Sequence, residues 1–455
     1  MYSKIKNYKF EKSVFKKIGF LFFLGIGVFF IMLQQFESRY EEAKKNINNS
    51  DELILISINE QGLSSDLREE LKSIQIEKNL YFFMDGRVDV WTYILSKYKL
   101  NYQSIAVQEK GLVYFYAFFM KISNDYNQYK YLIIHFFFSI ISSILIYSIL
   151  LNIYGKKTAY ISSIILFLFP ENIHYNAVIA KDGLVLTIIL FHLFCLIKLR
   201  CTNNKLFLFF IVGQLFILSF VRSGLVLPVI FITLLFYLFN YQIKKAISYL
   251  LITLFIFNLL LLILPKEVHR DIVFKIYEKP ISKFYFGSSK HLDVENITYR
   301  DTIETSIVQN ISGGDASINN AVWLFPKGLM YLISPFPPSF DGSLKDSGFV
   351  IFSTYLYFLM LPFLMSELIK ILRNNNFLQI FLLIEMTILS VAIIFAGPFI
   401  YVRYRIIILP FLIVFFVNNF LNSNTINRLY KCIGAVLIFL IIYLFWVIMK
   451  SIFNN

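Results

Sequence analysis

Residues 168–190 read LFPENIHYNAVIAKDGLVLTIIL, a polar centre held between two apolar runs. The run before it is ISSIILFLF, from Ile161 to Phe169, and the run after it extends from Leu184 to Leu196. Pro170 has no backbone donor, and Glu171, His174, Lys181 and Asp182 are costly to leave in hydrocarbon. The chain is therefore expected to surface here in a polar hairpin, which places an acid, a base and a ring nitrogen together at one membrane interface.

Composition supports the hydrocarbon reading. Of 455 residues, 57% are hydrophobic and 18% aromatic, which points to a polytopic membrane protein rather than a soluble domain. The formal net charge of +14 falls in short clusters between apolar runs, so it reads as a set of topology determinants and not as a nucleic-acid surface. Cys195, Cys201 and Cys432 lie in or beside apolar runs without metal-ligand spacing, and suggest neither a disulfide framework nor a zinc site. The run from Ile18 to Leu33 follows a lysine-rich start, but no small-residue cleavage site follows it. It is read as an uncleaved first span.

Spans of roughly 17–25 apolar residues are needed to cross a bilayer, and about eleven are expected, near 18–36, 130–153, 158–170, 183–198, 205–221, 224–241, 246–264, 348–369, 377–397, 405–421 and 432–449. Every second connection is basic: the lysines from Lys4 to Lys17, then Lys156 and Lys157, Lys198 to Lys205, Lys244 and Lys245, Lys370 and Arg373, Arg428 and Lys431. These are assigned to the cytoplasm. An odd number of spans leaves the C-terminus, with Lys450, outside.

The fold class expected is an all-α polytopic membrane protein with two long extracytoplasmic segments. Its parts are a cytoplasmic start and first span (1–36), a first outer segment with interfacial helices (37–129), a transmembrane bundle (130–264), a second outer segment (265–347) and C-terminal transmembrane helices (348–455). The interfacial stretches of the first segment are FFMDGRVDVWTYI and EKGLVYFYAFFMKI. The second segment ends in WLFPKGLMYLISPFPPSF, whose prolines prevent a regular spanning helix.

Most unusual polar residues then fall on the outer face. Asp85 and Asp89 are four apart, so on a helix they share a face; one can serve as a base while the other binds or orients, unless the stretch is simply a solvated acidic helix start. Asp182 suits the positive end of the following helix, although capping alone would not account for Glu171, His174 and Lys181 in the same turn. Arg222, Arg403 and Arg405 stand at outer span ends, where arginine either snorkels to headgroups or forks onto a phosphate. Gly397 and Pro398 favour an extended turn in which Arg403 and Arg405 point the same way, whereas a helix would turn them nearly opposite ways. Glu385 lies within a span, either as a functional carboxylate or as a hydrogen-bonded helix contact. His135 and His192 are read as core residues. No Walker, GxGxxG, HExxH or GxSxG pattern appears.

The order of an acidic first outer loop (Asp85, Asp89, Tyr93), a span pair joined by FPENIHYNAVIAKDGLVL, a PKGLMYLISPFP interfacial segment and a late RYRIIILPFLIV resembles the GT-C superfamily of membrane glycosyltransferases. Within it the likeness is to protein mannosyltransferases and lipid A aminoarabinose transferases. The resemblance implies an outward-facing site in the bacterial cell membrane, a polyprenyl-phosphate-linked sugar as donor, a glycan, lipid or protein as acceptor, and a first-loop aspartate as base. The acidic pair usual just after the first span is not clearly present, since Asp85 lies far along the loop. No cofactor is assigned, and a divalent metal is left open. Two other readings compete: a cell-envelope polysaccharide polymerase or ligase that relies on arginine to hold a lipid pyrophosphate, and a lipid or solute transporter, for which internal symmetry would be expected.

Overall fold

A computed structural model of the chain describes residues 24–38, 41, 92, 110–123, 129–177, 179, 181–273, 276, 348–374, 376–396 and 402–453. These form helices, with no strand among them. We number them α1 (Leu24–Ser38) and α2 (Lys110–Ser123), then α3 (Tyr129–Ile153), α4 (Lys156–Leu168), the short α5 (Pro170–Ala177), α6 (Asp182–Thr202) and α7 (Leu206–Val221). A 3-10 turn at Ser223–Leu225 leads to α8 (Val226–Asn240), α9 (Ile243–Leu262) and α10 (Lys266–Val273). The last group comprises α11 (Gly348–Asn374), α12 (Phe377–Ala396), a 3-10 segment at Val402–Ile407, α13 (Leu409–Asn422) and α14 (Thr425–Phe453).

Among the described residues, 6 segments are long and apolar enough to cross a membrane: Tyr129–Ile153, Asp182–Thr202, Ser223–Asn240, Ile243–Leu262, Phe352–Asn374 and Thr425–Leu444. Leu24–Ser38 and Phe377–Ala396, at further expected spans, are apolar helices too, and Leu206–Val221 and Leu409–Asn422 are shorter ones. At 1.5 Å per residue, helices of roughly 13–16 residues reach only about 20–24 Å, less than the ~30 Å hydrocarbon core. Two have evident causes. Pro170 ends α4, with Phe169 in an extended conformation, and the chain restarts as α5. α13 is likewise preceded by the tighter 3-10 segment. Such breaks are tolerable where the freed backbone is buried in protein.

α6 is the central helix, with 72% of its apolar window buried; it packs on α3 and α7, while α3 also packs on α4 and α5. α11 packs on α13 and α14, and α13 returns to α4, which joins the C-terminal helices to the first group. α14 has only 6% of its window buried. With Phe30, Phe118, Phe137, Phe209, Phe231, Phe255 and Phe352, it presents an exposed apolar surface of the kind that lipid covers.

The basic turns gather at one end. Lys245 Nζ donates to Asn203 Oδ1 at 3.1 Å, the Arg200 guanidinium lies 4.8 Å above the Phe377 ring, Thr158 Oγ1 lies 3.5 Å from Asn418 Oδ1, and Arg428 Nε donates to the Phe420 carbonyl at 2.8 Å. Asparagine side chains cap helix starts there: Asn376 Oδ1 accepts from Leu378 N at 3.2 Å, and Asn424 Oδ1 from Asn427 N at 2.9 Å. The segment containing Glu171, Lys181 and Asp182 joins the helix ends opposite these turns.

EKGLVYFYAFFMKI does form a helix, α2, but it does not simply lie on the surface. Leu112, Val113, Tyr116 and Met120 are buried, and α2 packs against α7. Close approach requires Gly111, where an added Cβ would stand 2.3 Å from Phe220 Cβ and 2.6 Å from its carbonyl oxygen. Gly111→Val is expected to push α2 off α7 and cost about 1–3 kcal/mol, the usual range for overpacking. Thermal melting in detergent checks this; an unchanged midpoint would show that α2 is not seated there.

Candidate functional site at the α5 break

The polar stretch is not an exposed hairpin. Glu171, Asn172 and Asp182 are fully buried, and His174 and Asn176 nearly so. The stretch is a short helix packed against α3, α6, α11 and the 402–407 segment, followed by a tight turn into α6. The expectation of an exposed hairpin fails because the charges and amides find partners inside the protein, which removes the cost of leaving water.

At its centre is an ion pair between chain-distant residues. Arg405 Nε lies 3.3 Å from both Glu171 Oε1 and Oε2, and both side chains are fully buried. Tyr357 of α11 donates its hydroxyl to Glu171 Oε2 at 2.7 Å, while its ring lies 4.2 Å beneath the Arg405 guanidinium. Phe169, at the α4–α5 break, packs its ring 5.4 Å from that of Tyr357. The carboxylate thus accepts bonds from a cation and a phenol, and the cation also faces an aromatic ring. Burial pushes the Glu171 carboxyl up from the usual carboxylate range, against the pull of the Arg405 charge and the Tyr357 hydroxyl. The guanidinium has no accessible neutral form with which to relieve its own burial.

Amides extend the cluster toward α3. Asn172 Nδ2 donates at 3.0 Å to Ser139 Oγ and at 3.0 Å to the Leu166 carbonyl, one of the carbonyls freed at the end of α4. Asn176 Nδ2 donates to the Asn172 carbonyl at 2.8 Å and to its Oδ1 at 3.0 Å. Ser142 Oγ and Thr187 Oγ1 are 2.9 Å apart, which ties α3 to α6. His135 Nε2 is hydrogen-bonded to the Tyr116 hydroxyl, so this core histidine joins α2 to α3. A Cβ on Gly183 would stand 2.2 Å from Asn176 Oδ1, so a larger residue there would have to displace that buried amide from its bonds to Asn172.

The turn between α5 and α6 carries backbone strain. Ile179, buried and β-branched, has φ +55°, in the left-handed region that such residues avoid. Strain of this kind costs on the order of 1–3 kcal/mol and survives where surrounding structure enforces it, often at functional sites. Asp182 follows as the first residue of α6, where the helix dipole favours its charge, and Lys181 is half-buried beside it.

The predicted residues are partly united. Glu171 and Arg405 touch, and His174, Lys181 and Asp182 belong to the same packed segment, with α6 against the 402–407 segment. The 402–407 segment is a 3-10 helix, not the extended turn in which Arg403 and Arg405 would point the same way. Arg222 stands at a separate break, closing α7 and opening the Ser223–Leu225 turn; its backbone N donates to the Leu218 carbonyl at 2.7 Å. Asp85 and Asp89 lie outside the described residues. Glu385 is buried in α12, and its Oε2 has no hydrogen-bond partner among the described residues.

Sequence reasoning missed Tyr357, Asn172, Asn176, Ser139 and Tyr116. Asn172 and Asn176 carried a usable signal, two amides four apart on one helical face. Tyr357 carried none, since a tyrosine in an apolar span ordinarily reads as packing. Compared with known sequences, the chain matches no protein-family model and no curated protein.

Proposed function

We propose that the chain is a glycosyltransferase of the cell membrane that moves a sugar from a polyprenyl-phosphate donor to an envelope acceptor at the outer face. In this reading the membrane is bacterial and the N-terminus cytoplasmic, about eleven apolar segments enter the membrane, and 37–129 and 265–347 are the outer segments. Outside the cytoplasm no nucleotide sugar is at hand, so the donor must be lipid-linked.

The acceptor hydroxyl attacks the anomeric carbon, the bond from that carbon to the phosphate oxygen breaks, and the polyprenyl phosphate leaves with the electron pair. The acceptor proton passes to the carboxylate of Asp85 or Asp89. The transition state is oxocarbenium-like, and cationic side chains at Lys181, Arg222 and Arg403 offset the charge developing on the leaving phosphate.

The observation that supports this most is the buried Glu171–Arg405–Tyr357 cluster. It fixes the segment carrying Arg403 and the segment carrying Lys181 and Asp182 against one another, opposite the basic turns. Broken helices at the membrane surface with fixed charges are what a lipid-phosphate site needs. The envelope polymerase or ligase reading keeps Arg222 and Arg403 for a lipid pyrophosphate and dispenses with the aspartates.

The test is direct. Mass spectrometry of envelope glycans from a deletion strain is expected to show acceptors lacking one sugar. Full-length protein in nanodiscs is expected to restore that sugar from a polyprenyl-phosphate donor. Loss of whole polymer with intact repeating units would move the assignment to polymerase or ligase, and substrate movement across vesicles without bond formation would move it to a transporter.

A further inference from the structure

A second polar site lies at the other end of the bundle, among the basic turns. It is a cavity of about 370 Å³ lined by Tyr154, Glu367, Lys370, Asn374, Gln379 and Asn422, with Asn418 at its wall. That volume is within the range of small-molecule sites. α3, α11 and α13 end at it and α12 begins there.

Glu367 is 3% exposed. Its Oε1 accepts from Asn418 Nδ2 at 2.5 Å and its Oε2 from Asn419 Nδ2 at 3.0 Å. Amides satisfy lone pairs but bring no positive charge. Among the described residues no lysine or arginine nitrogen lies within 4.0 Å of this carboxylate, in contrast to Glu171. Lys431 acts on the Glu367 carboxylate from beyond the amides: its Nζ donates to Asn419 Oδ1 and, at 3.2 Å, to Ser423 Oγ, and it feels the Glu367 charge. The Tyr154 hydroxyl lines the same cavity and is buried, without a hydrogen-bond partner among the described residues, and burial first and the Glu367 charge second push its titration up. The inner part of the cavity therefore offers a carboxylate whose direct partners are neutral amides, and a phenol without a hydrogen-bond partner among the described residues. Lys370 and Asn374, both exposed, stand toward the mouth.

Inside, these groups suit a cation with several N–H donors; at the mouth, Lys370 suits an anion. Helix ends at the membrane boundary place both at headgroup depth. We propose that this cavity binds an aminoalkyl phosphate of the phosphoethanolamine class, its ammonium against Glu367 and Tyr154 and its phosphate against Lys370. The ligand is a lipid headgroup or a soluble molecule of the same chemistry, and the site is independent of the transferase reading.

The full-length protein in nanodiscs tests this. Replacing part of a phosphatidylcholine bilayer with phosphatidylethanolamine is expected to raise the melting temperature by several degrees, as a ligand that binds only the folded state does. Phosphatidylglycerol, which lacks the ammonium, is expected to raise it less. Glu367→Gln and, at the mouth, Lys370→Ala are each expected to shrink the ethanolamine shift; the exposed Lys370 site keeps the test usable if Glu367→Gln folds poorly. A shift from soluble phosphoethanolamine in phosphatidylcholine discs identifies a soluble ligand, and a shift from the lipid alone identifies the headgroup. Equal melting in all three lipids with no response to the soluble molecule overturns the proposal. So does an ethanolamine shift that survives in Lys370→Ala and Glu367→Gln alike, because the bilayer and not the cavity would then cause it.

Discussion

Glu171→Gln is expected to lower stability by about 3–5 kcal/mol, the cost of leaving one member of a buried ion pair without its partner. The guanidinium of Arg405 would remain fully buried and charged, with Tyr357 unable to supply the missing negative charge. Arg405→Met is expected to cost less, since a carboxyl can take up a proton and a guanidinium cannot release one. The sign of its pH dependence follows. Burial already raises the Glu171 carboxyl, and without Arg405 the pull that opposes burial is gone. A carboxyl raised in the folded state stabilises fully below its unfolded value, and that contribution is lost as pH rises through the folded value. Arg405→Met should therefore melt higher in acid than at neutral pH, relative to wild type. The double variant Glu171→Gln with Arg405→Met should recover much of the loss, giving a coupling energy in the double-mutant cycle. Simple additivity of the two single losses would show that the pair does not act as a unit.

Asp85→Asn and Asp89→Asn carry the largest expected effect on activity. If either carboxylate takes the acceptor proton, its amide cannot, and general-base loss alone is worth about 10²–10⁴-fold in rate. One of the two variants should fall by that factor in a reconstituted transfer assay while the other loses affinity for acceptor. Both should keep the wild-type melting temperature, because the change removes one proton site and little volume. Full activity in both would remove the aspartates from the mechanism and leave the arginine-dependent polymerase or ligase reading in place.

Much of the architecture was readable in residue order. Apolar runs of spanning length predicted helices that form at Tyr129–Ile153, Asp182–Thr202, Ile243–Leu262 and Phe352–Asn374. The alternation of basic turns predicted a shared end, and the contacts of Lys245 with Asn203 and of Arg200 with Phe377 bring three of those turns together. Pro170 predicted a break, and the break is real. These features are legible because hydrophobicity, charge and proline act locally: each residue's preference is set by itself and a few neighbours.

The environment of the break was not legible. From order alone, Glu171 beside His174, Lys181 and Asp182 argued for water, since a lone carboxylate in hydrocarbon is prohibitively costly. What changes the outcome is a guanidinium 234 positions later in the chain and a phenol 186 positions later. The sequence by itself determined a helical, membrane-type chain with its basic turns at one end and a proline break at residue 170. Only the tertiary structure decided that Glu171 is buried on Arg405 and Tyr357, and that Glu367 lines a cavity with amides as its direct partners. Ion pairs and cavities depend on distances between remote residues, and spacing along a chain does not encode them.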